Sequence, residues 1–210
     1  EKLSIIAQDL KTRGAQKVET RVADFSDLTS HEGLLQECWQ TLKNVDLLLL
    51  AHGDMPPEGS TQAPTQVLQT WHLNATSVIS LASYARPHFE TQRSGCLCVI
   101  SSVAGERGRK PTYVYGAAKA GITSFCQALR QVLAPFNVQV LNIKPGYVDT
   151  PMTAHLSKSF LFASPERVAS TICRAIQNKA NRDLMVPWFW QPIMQILKCI
   201  PERLFLKLKI

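Results

Sequence analysis

Apolar residues in this chain fall into short, nearly unbroken runs separated by longer amphipathic stretches. VDLLLLAHG (45–53), CLCVISS (96–102) and VQVLNIKPG (138–146) suit strands covered on both faces, as in a parallel sheet, and DLMVP (183–187) is a shorter example. QKVETRVAD (16–24) alternates polar with apolar and predicts a further strand ending at Asp24. Helical spacing fills the gaps. EKLSIIAQDLKTRG is stopped by Gly14, and SDLTSHEGLLQECWQTLKN places Leu34, Leu35, Cys38, Trp39 and Leu42 on one face. Residues 65–86 predict a long helix stopped by Pro87, and 115–133 a small-residue helix stopped near Pro135. SPERVASTICRAIQN opens with Ser164 as N-cap, Pro165 at the first helical position and Glu166 in the first turn. MPPEGSTQAP (55–64) reads as a loop, and 151–163 as a lid or substrate loop. Alternation of strand and helix predicts an α/β protein: a Rossmann-like, doubly wound parallel sheet with helices on both faces.

No repeat, low-complexity tract or linker divides residues 1–187, which read as one domain. Residues 188–210, WFWQPIMQILKCIPERLFLKLKI, mix aromatics and aliphatics with spaced Lys and Arg. Polar residues and prolines interrupt them too often for a membrane-spanning helix. Two readings stand for this amphipathic tail. It lies on a membrane surface or grips a greasy substrate, or it docks on its own domain or on a second subunit.

Composition narrows the class. With 45% hydrophobic and 19% charged residues, 210 residues suffice for one packed core. The formal charge of +7 suits anionic ligands or an acidic membrane surface. No basic run or zinc-finger spacing argues for nucleic acid, and no metal-ligand pattern appears. The six cysteines lack any CxxC spacing, and Cys96 and Cys98 face one side of a strand. All six are expected as reduced thiols of a cytoplasmic protein.

The chemistry concentrates in ISSVAGERGRKPTYVYGAAKAG, residues 100–121. Tyr115 and Lys119 are four apart and share a helical face, an arrangement expected to lower the phenol's pKa. Ser102, at the carboxyl end of a buried strand, offers a hydroxyl where open α/β sheets place ligands. Gly53 and Pro145-Gly146 end two other strands at the same edge. Asn74 sits inside a helix, where its propensity is poor, and reads either as functional or as a tolerated surface residue.

These residues resemble the catalytic tetrad of the short-chain dehydrogenase/reductase family. Asn74 in HLNAT, Ser102 in ISSVAG, and Tyr115 and Lys119 in YGAAK stand 28, 13 and 4 residues apart, much as in the family. The resemblance covers the chain to about residue 187. It implies hydride transfer between a nicotinamide cofactor, NAD(P)(H), and a carbonyl or alcohol substrate. Tyr115 would move the proton, Lys119 would lower its pKa and hold the nicotinamide ribose, Ser102 would bind the carbonyl oxygen, and Asn74 would support a proton-refilling water. Cofactor contacts carried over are Asp24 near the adenine, Ala51 and Gly53 in AHG where the family has NAG, and Pro145, Gly146, Val148 and Thr150 in PGYVDT. The family's glycine-rich pyrophosphate turn has no counterpart here, nor do its first strand, first helix and second strand. These 210 residues alone are therefore expected to bind cofactor poorly and to be inactive. AGERGRK, MTAHL and IPERLFLKLKI further resemble reductases of decaprenylphosphoryl-2-keto-erythro-pentose. That likeness implies a lipid-linked substrate, a phosphate beside Arg107, Arg109 and Lys110, and a location on the inner membrane face; the choice between NADP and NAD stays open. A homo-oligomer is also expected. The competing class is a non-catalytic nucleotide-binding or membrane-peripheral protein on the same fold.

Overall fold

The computed structural model describes residues 1–56 and 63–208; residues 57–62 of the predicted loop and 209–210 of the tail lie outside the described residues. Its centre is a parallel sheet of β1 (Leu47–Leu50), β2 (Cys96–Ile100), β3 (Gln139–Pro145) and β6 (Asp183–Val186), in the spatial order β1-β2-β3-β6. Between β3 and β6 lie two short strands, β4 (Tyr147–Val148) and β5 (Phe162–Ala163), which pair with each other inside the predicted 151–163 loop region. The register places Leu50 opposite Val99 and Ile100 opposite Ile143. The chain therefore leaves β1, β2 and β3 along one edge, at Ala51, Ser101 and Gly146.

The described residues form eight α-helices: α1 (Lys2–Thr12), which buries no residue, α2 (His31–Leu42), α3 (Pro64–Trp71), α4 (Ser77–Gln92), α5 (Tyr113–Leu133), α6 (Pro165–Gln177), α7 (Trp190–Cys199) and α8 (Glu202–Phe205). Side-chain alternation along the strands divides the core into two layers. Leu97, Val99 and Val140 join Leu81, Phe89 and Ile122 from the α2, α4 and α5 side. Cys96, Cys98, Leu141 and Ile143 face the other way, against Val168 and Ala175 of α6. Cys96 and Cys98 are thus packing residues, and all six cysteines are free thiols.

Three expectations change. Residues 16–24 form no strand, and Val22 is 93% exposed. Alternation fits a pleated surface, but a strand exists only when its backbone finds a ladder partner, and none among the described residues supplies one. Pro87 does not stop the long helix, which runs on to Gln92 and ends at Arg93 in the left-handed conformation. Burial of Ala82, Ala85 and Phe89 on either side of Pro87 outweighs its one missing N–H. The small-residue helix begins at Tyr113, two residues earlier than its pattern suggested.

The tail docks on its own domain. Trp190 and Met194 of α7 are buried with Val103 beyond the carboxyl ends of the strands. Arg107 fastens the far end of α7: Nη1 donates to the carbonyls of Leu197 (2.5 Å), Ile200 (2.7 Å) and Lys198 (3.1 Å). Its Nη2 lies 3.0 Å from Glu202 Oε2, and the guanidinium stacks 3.8 Å from the Phe205 ring centre. A cation thus meets the orphan carbonyls and negative dipole of a helix C-terminus. Beneath it, Lys144 Nζ bridges Glu106 Oε1 (2.7 Å) and Asp183 Oδ2 (2.9 Å), while Lys198 reaches Glu106 Oε2 (2.9 Å). Burial pushes the Asp183 carboxyl up, but hydrogen bonds from Lys144, Arg130 and Gln127 outweigh it and hold the pKa at about 2. No helix among the described residues is long and apolar enough to cross a membrane.

Candidate active site

A cleft of about 570 Å³ opens where β1, β2 and β3 end. Asn74, Ser102, Tyr115 and Lys119 all line it. Ala51, Gly53, Pro145, Gly146, Val148 and Thr150 line it too. Asp24 does not. Its exposed carboxylate accepts from Ser26 N (2.9 Å) and Ser26 Oγ (2.6 Å), and these bonds lower its pKa.

The two adjacent serines divide their tasks by strand alternation. Ser101 is buried and donates to the Lys119 carbonyl (2.9 Å), locking the end of β2 to α5. Ser102 caps the turn at Val103–Glu106, accepting from Ala104 N (3.1 Å), and its hydroxyl faces the cleft. Burial pushes the Tyr115 phenol up to about 12, against a hydrogen bond with Ser102 that pulls it down. This reverses the expected effect of Lys119. The ammonium lies 5.5 Å from the Tyr115 ring centre, and desolvation dominates. The same burial lowers Lys119 to about 8. Its Nζ donates to the Ile100 carbonyl (3.0 Å), the one acceptor it meets among the described residues. An ammonium has three N–H donors, so two remain for a ligand.

Asn74 is no surface residue: it is fully buried. It lies in a π-turn, His72–Thr76, between α3 and α4. Its amide nitrogen donates to the carbonyls of Asp54 (2.7 Å) and Thr70 (2.9 Å), and its oxygen accepts from Asp54 N (3.2 Å). Asn74 therefore pins the segment leaving β1 to the helix. Both of its amide protons are spent on backbone carbonyls, which leaves neither for a relay water. Gly53 completes the junction at φ +152°, where an added Cβ would fall 2.6 Å from Asn74 Oδ1. Here only glycine fits.

The structure adds residues that the sequence pattern did not single out. His52 stacks on Phe25 (4.6 Å between ring centres) and its Nε2 bonds Ser77 Oγ (2.6 Å). Burial, then the charges of Lys119 and His31, lower its pKa to about 4, so it is neutral at pH 7. Trp190, from the tail, forms a cleft wall and is 4% exposed. It lies so close over Gly146 that a Cβ there would fall 1.8 Å from the indole Nε1. The concentrated aromatics of WFW were the available signal, but nothing in the pattern showed where they would dock. Of the basic loop, Arg107 is bound to the tail while Arg109 lines the cleft.

A parallel α/β sheet with its cleft at the strands' carboxyl ends is the architecture of nucleotide-dependent oxidoreductases. The sequence model described as short chain dehydrogenase matches residues 1–159, and the chain belongs to the short-chain dehydrogenase/reductase family, a family of oxidoreductases using a nicotinamide cofactor. An uncharacterized oxidoreductase of Mycobacterium tuberculosis is 32% identical over 197 residues, which are 93% of this chain and 79% of that protein. Carbonyl reductase family member 4 of Xenopus tropicalis is 25% identical, over 81% of this chain and 78% of its own. A solved 7 alpha-hydroxysteroid dehydrogenase, complexed with NADH and 7-oxo glycochenodeoxycholic acid, superposes with a TM-score of 0.78 at 18% identity, covering 88% of this chain and 78% of that one. This last likeness concerns the fold.

Proposed function

We propose that this oxidoreductase interconverts the carbonyl and alcohol of a largely apolar small molecule, with Tyr115 as the proton-transfer group. The observation that carries the reading is the convergence of Tyr115, Ser102 and Lys119 on one cleft otherwise walled by groups such as Met152, Leu156, Ile172 and Trp190. A nicotinamide, when bound, supplies or accepts the hydride. The chain's residues fit its sugar half: the two remaining Lys119 N–H groups suit ribose hydroxyls, and Val148 and Thr150 border the same space.

In the reducing direction Ser102 keeps its proton and orients the substrate by a hydrogen bond from its hydroxyl to the carbonyl oxygen. Tyr115, protonated at neutral pH by its raised pKa, transfers the phenolic proton to that oxygen as negative charge develops. Phenolate forms as the alcohol forms, and the ammonium of Lys119, with a pKa near 8, stabilises it and lies on the route of reprotonation. Asn74 acts by position, holding Gly53 and Asp54 against the cleft floor. Tyr115→Phe keeps the ring and removes the proton, so turnover should fall about 10²- to 10⁴-fold with an unchanged melting curve. Turnover within twofold of the parent would overturn the assignment.

A second reading concerns the tail. Trp188 (73% exposed), Ile196 (67%), Leu204 (57%) and Leu206 (76%) leave an apolar surface beside Arg203 and Lys207. Such a surface supports contact with an anionic bilayer, which would bring lipid-linked carbonyl substrates to the cleft. Co-sedimentation with phosphatidylserine vesicles, but not with phosphatidylcholine vesicles, is the expected result. No difference between the two would count against it.

A further inference from the structure

From the turn Arg109–Thr112 at the cleft we infer that the substrate carries an oxyanion, a carboxylate or a phosphate, which Arg109 and Thr112 hold while the apolar body lies along the wall toward Trp190. This rests on the carbonyl–alcohol reading above and names the class of molecule that the same cleft admits.

Three observations carry it. First, the basic loop is split by the fold. Arg107 is consumed by the carbonyls and carboxylate of the tail, so it is not available to a ligand. Arg109, two residues on, lines the cleft, and its Nε is buried without any acceptor. No carboxylate or carbonyl among the described residues pairs with its guanidinium. Second, Thr112, another lining residue, closes the same turn through Thr112 N to the Arg109 carbonyl (3.2 Å), and its Oγ1 is likewise buried and unpartnered. Buried polar groups are nearly always satisfied, and two orphans on the two ends of one turn that lines the cavity point to a missing ligand. Third, no Asp or Glu among the described residues lines this cleft, while Arg109 and Lys119 both do. The field inside it favours an anion, and low dielectric walls strengthen that preference. A guanidinium beside a hydroxyl matches the planar, many-lone-pair acceptor of a carboxylate or phosphate.

The test compares four probes with the purified full-length protein, cofactor-binding segment included: a medium-chain oxo-carboxylate, its methyl ester, the matching oxo-alkyl phosphate and the matching oxo-alcohol. The parent should favour each anion over its neutral counterpart by about 10- to 100-fold in kcat/KM, the worth of a charge-assisted hydrogen bond. Arg109→Gln should collapse that ratio toward one while ester turnover stays within about threefold, and Arg109→Lys should restore part of it. Which anion loses more identifies carboxylate or phosphate as the natural group. Calorimetric binding of the oxo-carboxylate without cofactor gives a readout independent of turnover, expected about tenfold weaker in Arg109→Gln. Equal treatment of acid and ester by the parent, or equal loss for both in Arg109→Gln, would overturn the inference. So would a raised KM for NADPH alone, which would assign Arg109 to the cofactor. Anion binding that depends on Arg109 without turnover of any probe would instead leave this subsite standing and refute the carbonyl–alcohol reading. If Arg109→Gln fails to fold, Thr112→Val is measured in its place, with the same ratio as readout.

Discussion

Arg107→Ala should undock the tail without unfolding the domain. The side chain gives one terminal nitrogen to three carbonyls at the end of α7, an exposed ion pair to Glu202 and a stacked contact to Phe205. A hydrogen bond from a charged donor contributes about 1.5–3 kcal/mol, and because the three carbonyls share one nitrogen they count as little more than one such bond. The Glu202 pair, 73% exposed on the carboxylate side, adds about 0–1 kcal/mol, and the guanidinium over Phe205 about 0.5–1 kcal/mol. The total, about 2–5 kcal/mol, falls on local opening of α7 and α8 rather than on the sheet. Amide hydrogen exchange across residues 190–205 should therefore accelerate by roughly 30- to 5000-fold, while β2 and β3 keep their protection. Because Trp190 forms a cleft wall, its fluorescence should shift to the red and KM should rise. Glu202→Gln removes only the exposed pair and should accelerate exchange less than about tenfold. Unchanged exchange in Arg107→Ala would refute the claim that this residue fastens the tail.

Gly53→Ala places a Cβ against Asn74 at a φ that side chains avoid, and should cost about 2–4 kcal/mol in urea unfolding; a loss under 0.5 kcal/mol would show that the junction yields freely. Alkaline pH should destabilise the fold. Burial raises Cys96 to about 11 and Cys98 and Cys126 to about 12, so above pH 9 the unfolded chain loses protons that the folded chain keeps. With more protons bound in the native state, stability falls as pH rises, by about 1.4 kcal/mol per unit for each thiol. Lys119 opposes this, since its folded pKa near 8 lies below its unfolded value and favours the fold as pH rises from about 8 to 10.5. Three thiols against one lysine leave a net loss, and urea midpoints that rise between pH 9 and 10.5 would contradict it.

The sheet was legible because β1, β2 and β3 all read as plain apolar runs; β2 and β3 are covered on both faces, whereas β1, expected to be so, leaves Leu47 and Leu49 exposed on one face. That Asn74, Ser102, Tyr115 and Lys119 would meet at one cleft was legible because their spacing reflects where strands end and helices begin. Legibility failed where an outcome depends on a distant partner. The alternation of residues 16–24 specifies a surface but not a neighbour, and Val22 is left in solvent. The direction of the Tyr115 shift depends on desolvation by the whole cleft, not on the lysine four residues away. Asn74 could be placed in a helix, but the π-turn that turns its amide toward Thr70 and Asp54 is set by contacts with the segment leaving β1. Arg107 and Arg109 look alike in sequence; only the docking of residues about ninety positions later separates them.

That Trp190 walls the cleft has a consequence for the order of events during synthesis. Gly53, Asn74, Ser102 and Tyr115 all emerge from the ribosome before α7 exists. The parallel sheet can begin to assemble around β1, β2 and β3, but β6 and the indole over Gly146 arrive afterwards. Until then the cleft lacks one wall, and its apolar lining is open to water and to chaperones. Premature termination between Val186 and Trp190 would leave a chain that carries Asn74, Ser102, Tyr115 and Lys119 and yet presents an unsealed cleft.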